Sequence, residues 1–344
     1  MAKKQKFKPN WYEDPTPSGT YRSLLKWGDP AAFKHPNSGL VRLMMDTFNL
    51  SAEDLQEPLD LALDPVEIEE PVTMEQTHID ALTAICGVEN VYTDTFTRLS
   101  RSYGGGMIDA LRLRKHIIEN LPELVLAPRT TEEIQRVIDY CNQHHIPVYV
   151  YGAGSTVTRG MEAVKGGIAL DMSVHMNRVV AFNEIDQTIT VEAGMTGPQL
   201  EDLLNNAPEQ LGAKRRYTCG HFPQSFEYSS VGGWVVTRGA GQNSTYYGKI
   251  EDIVISQRYA TPLGDFKTCP HPRSANGPDF DHIMMGREGS FGVLTEVTLR
   301  VFRWQPGNRR RYSYMFKNWD DAVEACREIM QCECGYPSVF RLSD

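Results

Sequence analysis

Three stretches of this chain hold residue types suited to gripping a large anionic ligand: Val150–Thr156 (VYGAGST), Gln224–Ala240 (QSFEYSSVGGWVVTRGA) and Gly286–Leu294 (GREGSFGVL). Glycines let backbone approach a flat or charged group, and Ser and Thr add short hydroxyl donors. The first stretch follows an apolar run, Pro147–Tyr151. A glycine-rich turn directly after a strand presents several backbone N–H groups that can cradle a diphosphate. It is not a Walker A loop, because no Gly-Lys-Ser/Thr follows. It is not G-x-G-x-x-G either, because no glycine sits three residues after Gly154. Read together, the three loops line one elongated groove that takes a dinucleotide through backbone and hydroxyl contacts more than through salt bridges. The plainer alternative is three unrelated surface loops.

Other residues could also do chemistry. Cys219 and His221, in TCGHF, have the types of a thiol nucleophile and its base. The spacing is weak evidence for that, and His221 reads better as an orienting donor beside the ligand. Arg98, Arg101, Arg112, Arg114 and Lys115 cluster around the triplet Gly104–Gly106. They would meet an anion or form a solvated helix face. Cys332 and Cys334 form C-x-C with no His at zinc spacing, so no metal site is expected.

Composition narrows the class. The 344 residues are 41% hydrophobic and 23% charged, with length for roughly two domains. A net charge of -9 argues against nucleic acid as the main partner. No apolar run approaches the ~20 residues of a membrane span. The N-terminus has lysines and no apolar h-region, so no signal peptide is expected. Seven scattered cysteines suit free thiols in a reducing compartment, and a cytoplasmic location follows.

The elements that must position these loops read as follows. Residues 1–50 form an aromatic-rich arm with Trp11, Tyr12, Tyr21 and Trp27, and 51–72 is acidic and linker-like. A short helix covers 74–86. From Leu121 the texture becomes strand, helix, strand, loop, with Thr130 and Glu133 as a capping box ahead of Ile134, Val137, Ile138 and Cys141. Strands are expected at 167–172, 179–183 and 188–192, the last two as a hairpin, followed by a helix from Thr196. Ile250–Ala260 reads as a strand, as does the run from Leu294. A new unit begins at Trp304, with a strand at Tyr312–Phe316 and a helix at Trp319–Met330, and is expected to be cut short at Asp344.

Several motifs carry a resemblance: RLSRSYGGG (98–106) with LPELVLAPRT, VYGAGST, LDMSVHMNRVV, TVEAGMTGPQLE, TCGHFPQSFEYSSVGGWVVTRGAGQNSTYYGKIEDIV, GREGSFGVLTEVTLR and PSVFRLSD. Over roughly residues 90–344 the chain resembles the alkylglycerone-phosphate synthase family, within the FAD-binding PCMH-type or vanillyl-alcohol oxidase superfamily. The resemblance implies an α+β chain with a PCMH-type FAD-binding fold of two α/β subdomains. Domains would fall at 1–117 (N-terminal arm and helical region), 118–303 (FAD-binding domain) and 304–344 (the beginning of a substrate or cap domain).

It also implies site residues. Contacts with the FAD diphosphate fall on Val150, Tyr151, Gly152, Ala153, Gly154, Ser155 and Thr156. Flavin and ribityl contacts fall on Gln224, Ser225, Phe226, Glu227, Tyr228, Ser229, Ser230, Thr237, Arg238, Gly239 and Ala240. Adenine-side contacts fall on Glu288, Gly289, Ser290, Phe291, Gly292, Val293 and Leu294. Ser155 stands where relatives with covalent flavin have His, which implies non-covalent FAD. Arg341 matches a family arginine that reaches the active site, to bind the substrate's anionic group or help position the flavin; His221, read from the residues themselves, is the other candidate catalytic residue. The implied reaction exchanges the acyl group of an acyl-dihydroxyacetone phosphate for a fatty alcohol through a flavin N5 adduct. The competing readings are an FAD-linked oxidase or dehydrogenase of a 2-hydroxy acid or alcohol, and a truncated, non-catalytic flavin-binding module. A small-molecule or lipid substrate is implied; peripheral membrane contact through the aromatic arm and homodimerisation are both compatible.

Overall fold

The computed structural model describes residues 17–25, 36–56 and 62–343. Most of the aromatic arm, including Trp11, Tyr12 and Trp27, lies outside the described residues. Tyr21 is buried and stacks on His116, with ring centroids 4.0 Å apart.

Two sheets carry the fold. The first contains β1 (Val91–Tyr92), β2 (Leu124–Leu126), β3 (Val148–Tyr151) and β4 (Ile168–Asp171), in the order β1-β2-β4-β3. β2 and β3 both run parallel to β4, and β1 is antiparallel to β2. Every residue of β2 and β4 is buried, as expected for apolar runs inside a parallel sheet. The Thr131–Gln143 helix covers this sheet with Ile134, Val137, Ile138 and Cys141, joined by Leu82 and Cys86 of the Gln76–Cys86 helix. Thr130 caps the first helix by accepting the N–H of Glu133 at 3.1 Å. The reciprocal half of the expected box is displaced by one residue, because the Glu133 carboxylate accepts the N–H of Arg129 at 2.8 Å.

The second sheet is antiparallel. It contains β5 (Val179–Asn183), β6 (Thr188–Glu192), β8 (Val254–Thr261), β9 (Gly264–Lys267) and β10 (Val293–Arg300), in the order β5-β6-β10-β8-β9. A short pair, β7 (Tyr217–Thr218) with β11 (Phe302–Arg303), lies outside it. Ile189, Val191, Val297 and Leu299 alternate onto one face and share a core with Leu200, Val231, Trp234 and Val235. The helix expected from Thr196 runs over Gly197–Asn205, with Gln199 accepting the N–H of Thr196 at 2.8 Å.

Three expectations need correction. Ile250–Ile253 is a helical turn, and β8 begins only at Val254. No strand forms at 312–316. Tyr312, Tyr314 and Met315 are exposed there, and a strand needs a neighbour to take its backbone hydrogen bonds. The basic cluster divides: Lys115 is exposed and Arg114 half-buried, as on a solvated face, whereas Arg98, Arg101 and Arg112 are engaged inside the protein. Arg98 is buried and donates to the carbonyls of Pro122 and Glu70, and Arg112 is buried between Glu119 and Glu162. Among the described residues, no helix is long and apolar enough to cross a membrane.

Candidate functional site

Parallel strands end in loops at their C-terminal edge, where ligands of open α/β sheets bind. β3 ends at Tyr151 and releases the chain into Gly152–Val157. Strand alternation sets what each residue does. Val150 and Gly152 face a groove, while the Tyr151 ring turns inward beneath the Arg101 guanidinium, 4.9 Å from its centroid. Arg101 in turn holds the buried Asp171 at the end of β4, with Nε–Oδ2 at 2.7 Å. The N-terminal region also supports the loop from below. Gly105 donates its N–H to the Thr156 carbonyl at 2.8 Å, and a Cβ on Gly104 would collide with that same carbonyl. The glycine triplet is therefore a packing surface for the loop.

No amide N–H from Gly152 to Val157 donates to a protein acceptor among the described residues. Gly154 takes a left-handed backbone, φ +74°. A row of free amides at a turn of this kind is an anion cradle. The loop continues to Glu162, whose buried carboxylate accepts from Arg112 (2.9 Å), Asn120 (2.7 Å) and Arg159. The Arg159 hydrogen bonds, with help from Arg112 and Asn120, hold the Glu162 carboxyl down at about 2.

The opposite wall is the short helix Val231–Val236. Its first three N–H groups are all spent: Val231 donates to Met195 O, Gly232 to Ala193 O and Gly233 to the Ser230 hydroxyl. This helix start therefore contributes close approach, not anion donors. Ser230 Oγ lies directly against Gly152, so the two walls meet there. Trp234 also lines the groove and donates its indole N–H to Ser229 Oγ at 2.6 Å. Behind Gly239, whose added Cβ would sit 3.4 Å from Nε2, lies His221. Its ring is 1% exposed, and neither nitrogen has a partner among the described residues. Burial pushes its pKa down to about 4, so the imidazole is neutral at neutral pH. The Cys219 thiol donates to the His221 carbonyl at 3.4 Å, and burial raises its pKa well above the usual value. The alternative of a Cys–His nucleophile pair does not form.

The third wall is Glu288–Leu294. Glu288 supplies the one charged side chain of the groove lining, and Thr158 donates to it at 3.4 Å. The groove holds about 450 Å³, within the range of small-molecule sites.

Of the residues expected from the sequence, Val150, Gly152, Ala153, Gly154, Ser155, Thr156, Gln224, Ser225, Ser229, Ser230, Thr237, Gly239, Ala240, Glu288, Gly289, Gly292 and Leu294 line this groove. Tyr151, Phe226, Glu227, Tyr228, Arg238, Ser290, Phe291 and Val293 do not. Phe226 packs against Gly197 and Trp234. Arg238 pairs with Glu251 and donates to Met285 O. Phe291 is exposed beneath the Arg287 guanidinium, and Val293 is buried in β10 opposite Ala260. Arg341 is exposed and does not line the groove. Residues that the motif reading left unassigned also line it, among them Val157, Thr158, Met161, Met172, Ala193 and Trp234. Met172 and Ala193 each follow the end of a strand, β4 and β6, and that position is the signal for them.

The free amides, the close seam between the two walls and the unpartnered His221 ring fit a dinucleotide carrying a diphosphate and a flat ring. Comparison with known proteins agrees. Residues 122–270 match the FAD binding domain family (FAD_binding_4). This part of the chain is an FAD-binding domain of the PCMH/VAO superfamily, and FAD is its cofactor. Within that class the similarity runs to alkyldihydroxyacetonephosphate synthases. The Caenorhabditis elegans protein of that name is 34% identical over 252 residues, covering 72% of this chain and 40% of that protein. A solved alkyldihydroxyacetonephosphate synthase superposes with a TM-score of 0.63 at 27% identity, over 69% of this chain and 42% of the other. An uncharacterized FAD-linked oxidoreductase of Escherichia coli K12, YgcU, is 34% identical over 274 residues, covering 77% of this chain and 53% of that protein. The chain thus spans about half the length of the curated relatives it matches.

Proposed function

We propose that this chain is the FAD-binding part of a flavoenzyme that replaces the acyl group of an acyl-dihydroxyacetone phosphate with a fatty alcohol, forming an ether lipid. The observation that carries the reading is the similarity, in both sequence and fold, to alkyldihydroxyacetonephosphate synthases. In this reading residues 118–303 bind the cofactor and 304–344 begin the substrate-binding domain. FAD, when bound, supplies a nucleophilic flavin nitrogen and ends turnover in its starting redox state.

The chain's own residues have defined parts. The amides of Gly152–Val157 take the diphosphate, and the hydroxyls of Ser155 and Thr156 are the nearest side-chain donors. Ser155 has no ring nitrogen to bond the flavin, so the cofactor is held non-covalently. Ser225, Ser229 and Thr237 orient the flavin side, while Trp234 and Met172 exclude water. Preorganised contacts in a dry groove place reacting atoms without reorganisation at the moment of reaction. The neutral His221 supports the wall at Gly239 and can accept or donate one hydrogen bond there. Arg341 is assigned to the substrate's anionic group.

A redox flavoenzyme acting on a 2-hydroxy acid or alcohol is the second reading, favoured by the similarity to the FAD-linked oxidoreductase. Anaerobic mixing of the FAD-loaded, full-length protein with each substrate class separates the two. Fatty acid release without lasting loss of flavin absorbance near 450 nm, a property of the oxidised flavin, is the expected result. Bleaching by a 2-hydroxy acid, with no release of fatty acid from the acyl substrate, would sink the synthase reading.

A further inference from the structure

A second cavity, of about 390 Å³, shares no residue with the FAD groove. Its walls include Pro208, Lys214, Arg215, Arg216, Arg303 and Trp304. The β7–β11 pair builds it. Arg303 is in register with Tyr217, and the N–H of Trp304 donates to the Arg216 carbonyl at 3.0 Å. Two segments far apart in sequence therefore bring four cationic side chains to one cleft. Arg216 is already paired, with Glu209 at 2.6 Å. Lys214, Arg215 and Arg303 are exposed and make no ion pair among the described residues. Glu184, a carboxylate nearby, accepts the Lys214 backbone N–H (2.8 and 3.0 Å) and the Tyr217 hydroxyl (3.1 Å), and its charge also faces Lys214.

Arg215, Arg303 and Lys214, with only the Glu184 carboxylate set against Lys214 among the described residues, leave this cleft positive in a chain whose net charge is -9. Like charges held together repel, and a multivalent anion relieves that repulsion. Two guanidinium forks beside one ammonium suit the tetrahedral oxygens of phosphate better than a single carboxylate. We propose that this cleft binds a phosphate-type polyanion, such as the diphosphate or phosphomonoester end of a larger ligand. Lys214, Arg215 and Arg303 supply the charge, the Arg216–Glu209 pair forms a fixed wall, and the Trp304 indole closes one side.

The probe is inorganic pyrophosphate, titrated into FAD-loaded protein while indole fluorescence is followed. Trp304→Phe identifies which part of the signal comes from the cleft. The expected result is saturable binding at or below about 1 mM that weakens as salt rises. The Arg215→Ala/Arg303→Ala double variant should weaken it at least tenfold. Both side chains are exposed, so an unchanged flavin spectrum and melting temperature will show that the fold and the FAD groove are intact. Because FAD occupies its groove throughout, displacement from that site would appear as free-flavin fluorescence, separating a failure there from a failure here. Vesicles of phosphatidylcholine with phosphatidic acid form the second arm. Sedimentation with them, competed by pyrophosphate, identifies a lipid headgroup as the source, whereas a response to pyrophosphate alone identifies a soluble phosphate. Absence of saturable binding, or full binding by the double variant, overturns the proposal.

Discussion

Gly152→Ala tests the groove at the seam where its two walls meet. Gly152 is not in the left-handed region, so the backbone tolerates alanine there. The difficulty lies in what the new methyl meets: Ser230 Oγ falls well inside van der Waals contact, while Ser230 Cβ, at 3.5 Å, does not. Ser230 cannot simply swing aside without cost, because its hydroxyl caps the 231–236 helix by accepting from Gly233 at 3.1 Å. Either the cap breaks, at about 1 kcal/mol, or the 152–157 loop shifts, at a typical overpacking cost of about 1–3 kcal/mol. A shifted loop also misdirects its free amides, so FAD affinity should fall by roughly ten- to a hundredfold, the equivalent of about 1.4–2.7 kcal/mol. The geometry also prescribes a rescue. Ser230→Ala alone loses the cap, but removes the atom that the methyl strikes. In the double variant the two losses should sum to more than the measured loss, with a coupling of about 1 kcal/mol or more. Calorimetric melting gives the stability terms, and quenching of flavin fluorescence on titrating apoprotein gives the affinities. An unchanged melting temperature and FAD affinity in Gly152→Ala, or strict additivity in the double variant, would refute the seam.

Three further outcomes follow from the side-chain environments. Glu162→Gln should destabilise the protein by about 1–3 kcal/mol, because it removes the charge shared by Arg112 and Arg159, although Arg112 keeps Glu119 at 2.6 Å. The folded-state pKa of Glu162, about 2, lies below the ordinary 4.5, so its contribution is fully present above pH ~4.5 and is lost as pH falls toward 2. The wild-type melting temperature should therefore drop across that window more steeply than the variant's. His221 is depressed to about 4, below its usual 6.5, so its neutral ring favours the fold above pH ~6.5 and this contribution is lost as pH falls toward 4. Its imidazole resonances should stay in the neutral position from pH 8 to about 5.5; a midpoint near 6.5 would contradict the burial. Among the thiols, Cys269, Cys332 and Cys334 are exposed, whereas Cys219 is buried and its pKa is raised. Mass spectrometry after brief alkylation of the native protein should find the first three modified and Cys219 intact. Rapid labelling of Cys219 would count against its placement.

Legibility varied along the chain for identifiable reasons. The 131–143 helix was readable because four apolar residues repeat at its period, and β4 because an unbroken apolar run has nowhere to go but a buried strand. The β5–β6 hairpin was readable from its alternation around Asp186. The Gly104–Gly106 triplet and its neighbouring arginines were visible as a cluster, but their purpose was not. Glycine as a ligand loop and glycine as a seat for another loop have the same spelling. Arg112 likewise looks the same whether it faces water or closes on Glu162, fifty residues away. The strand expected at 312–316 carries the right residue types, yet a strand exists only where a neighbouring strand pairs with it.

The sequence by itself determined the materials of the site: three loops rich in glycine and hydroxyls, each next to a strand or helix end, and the resemblance that names FAD. These are local properties, set by backbone freedom and side-chain chemistry within a few residues. The tertiary structure decided which members of those loops line the groove. Tyr151 faces Arg101 and away from the groove because alternation in β3 sends it inward. The amides at 231–233 are spent on Ala193, Met195 and Ser230, while those at 152–157 are left free. Whether a donor is free depends on every acceptor around it in space, and those acceptors come from strands that the chain brings together only on folding.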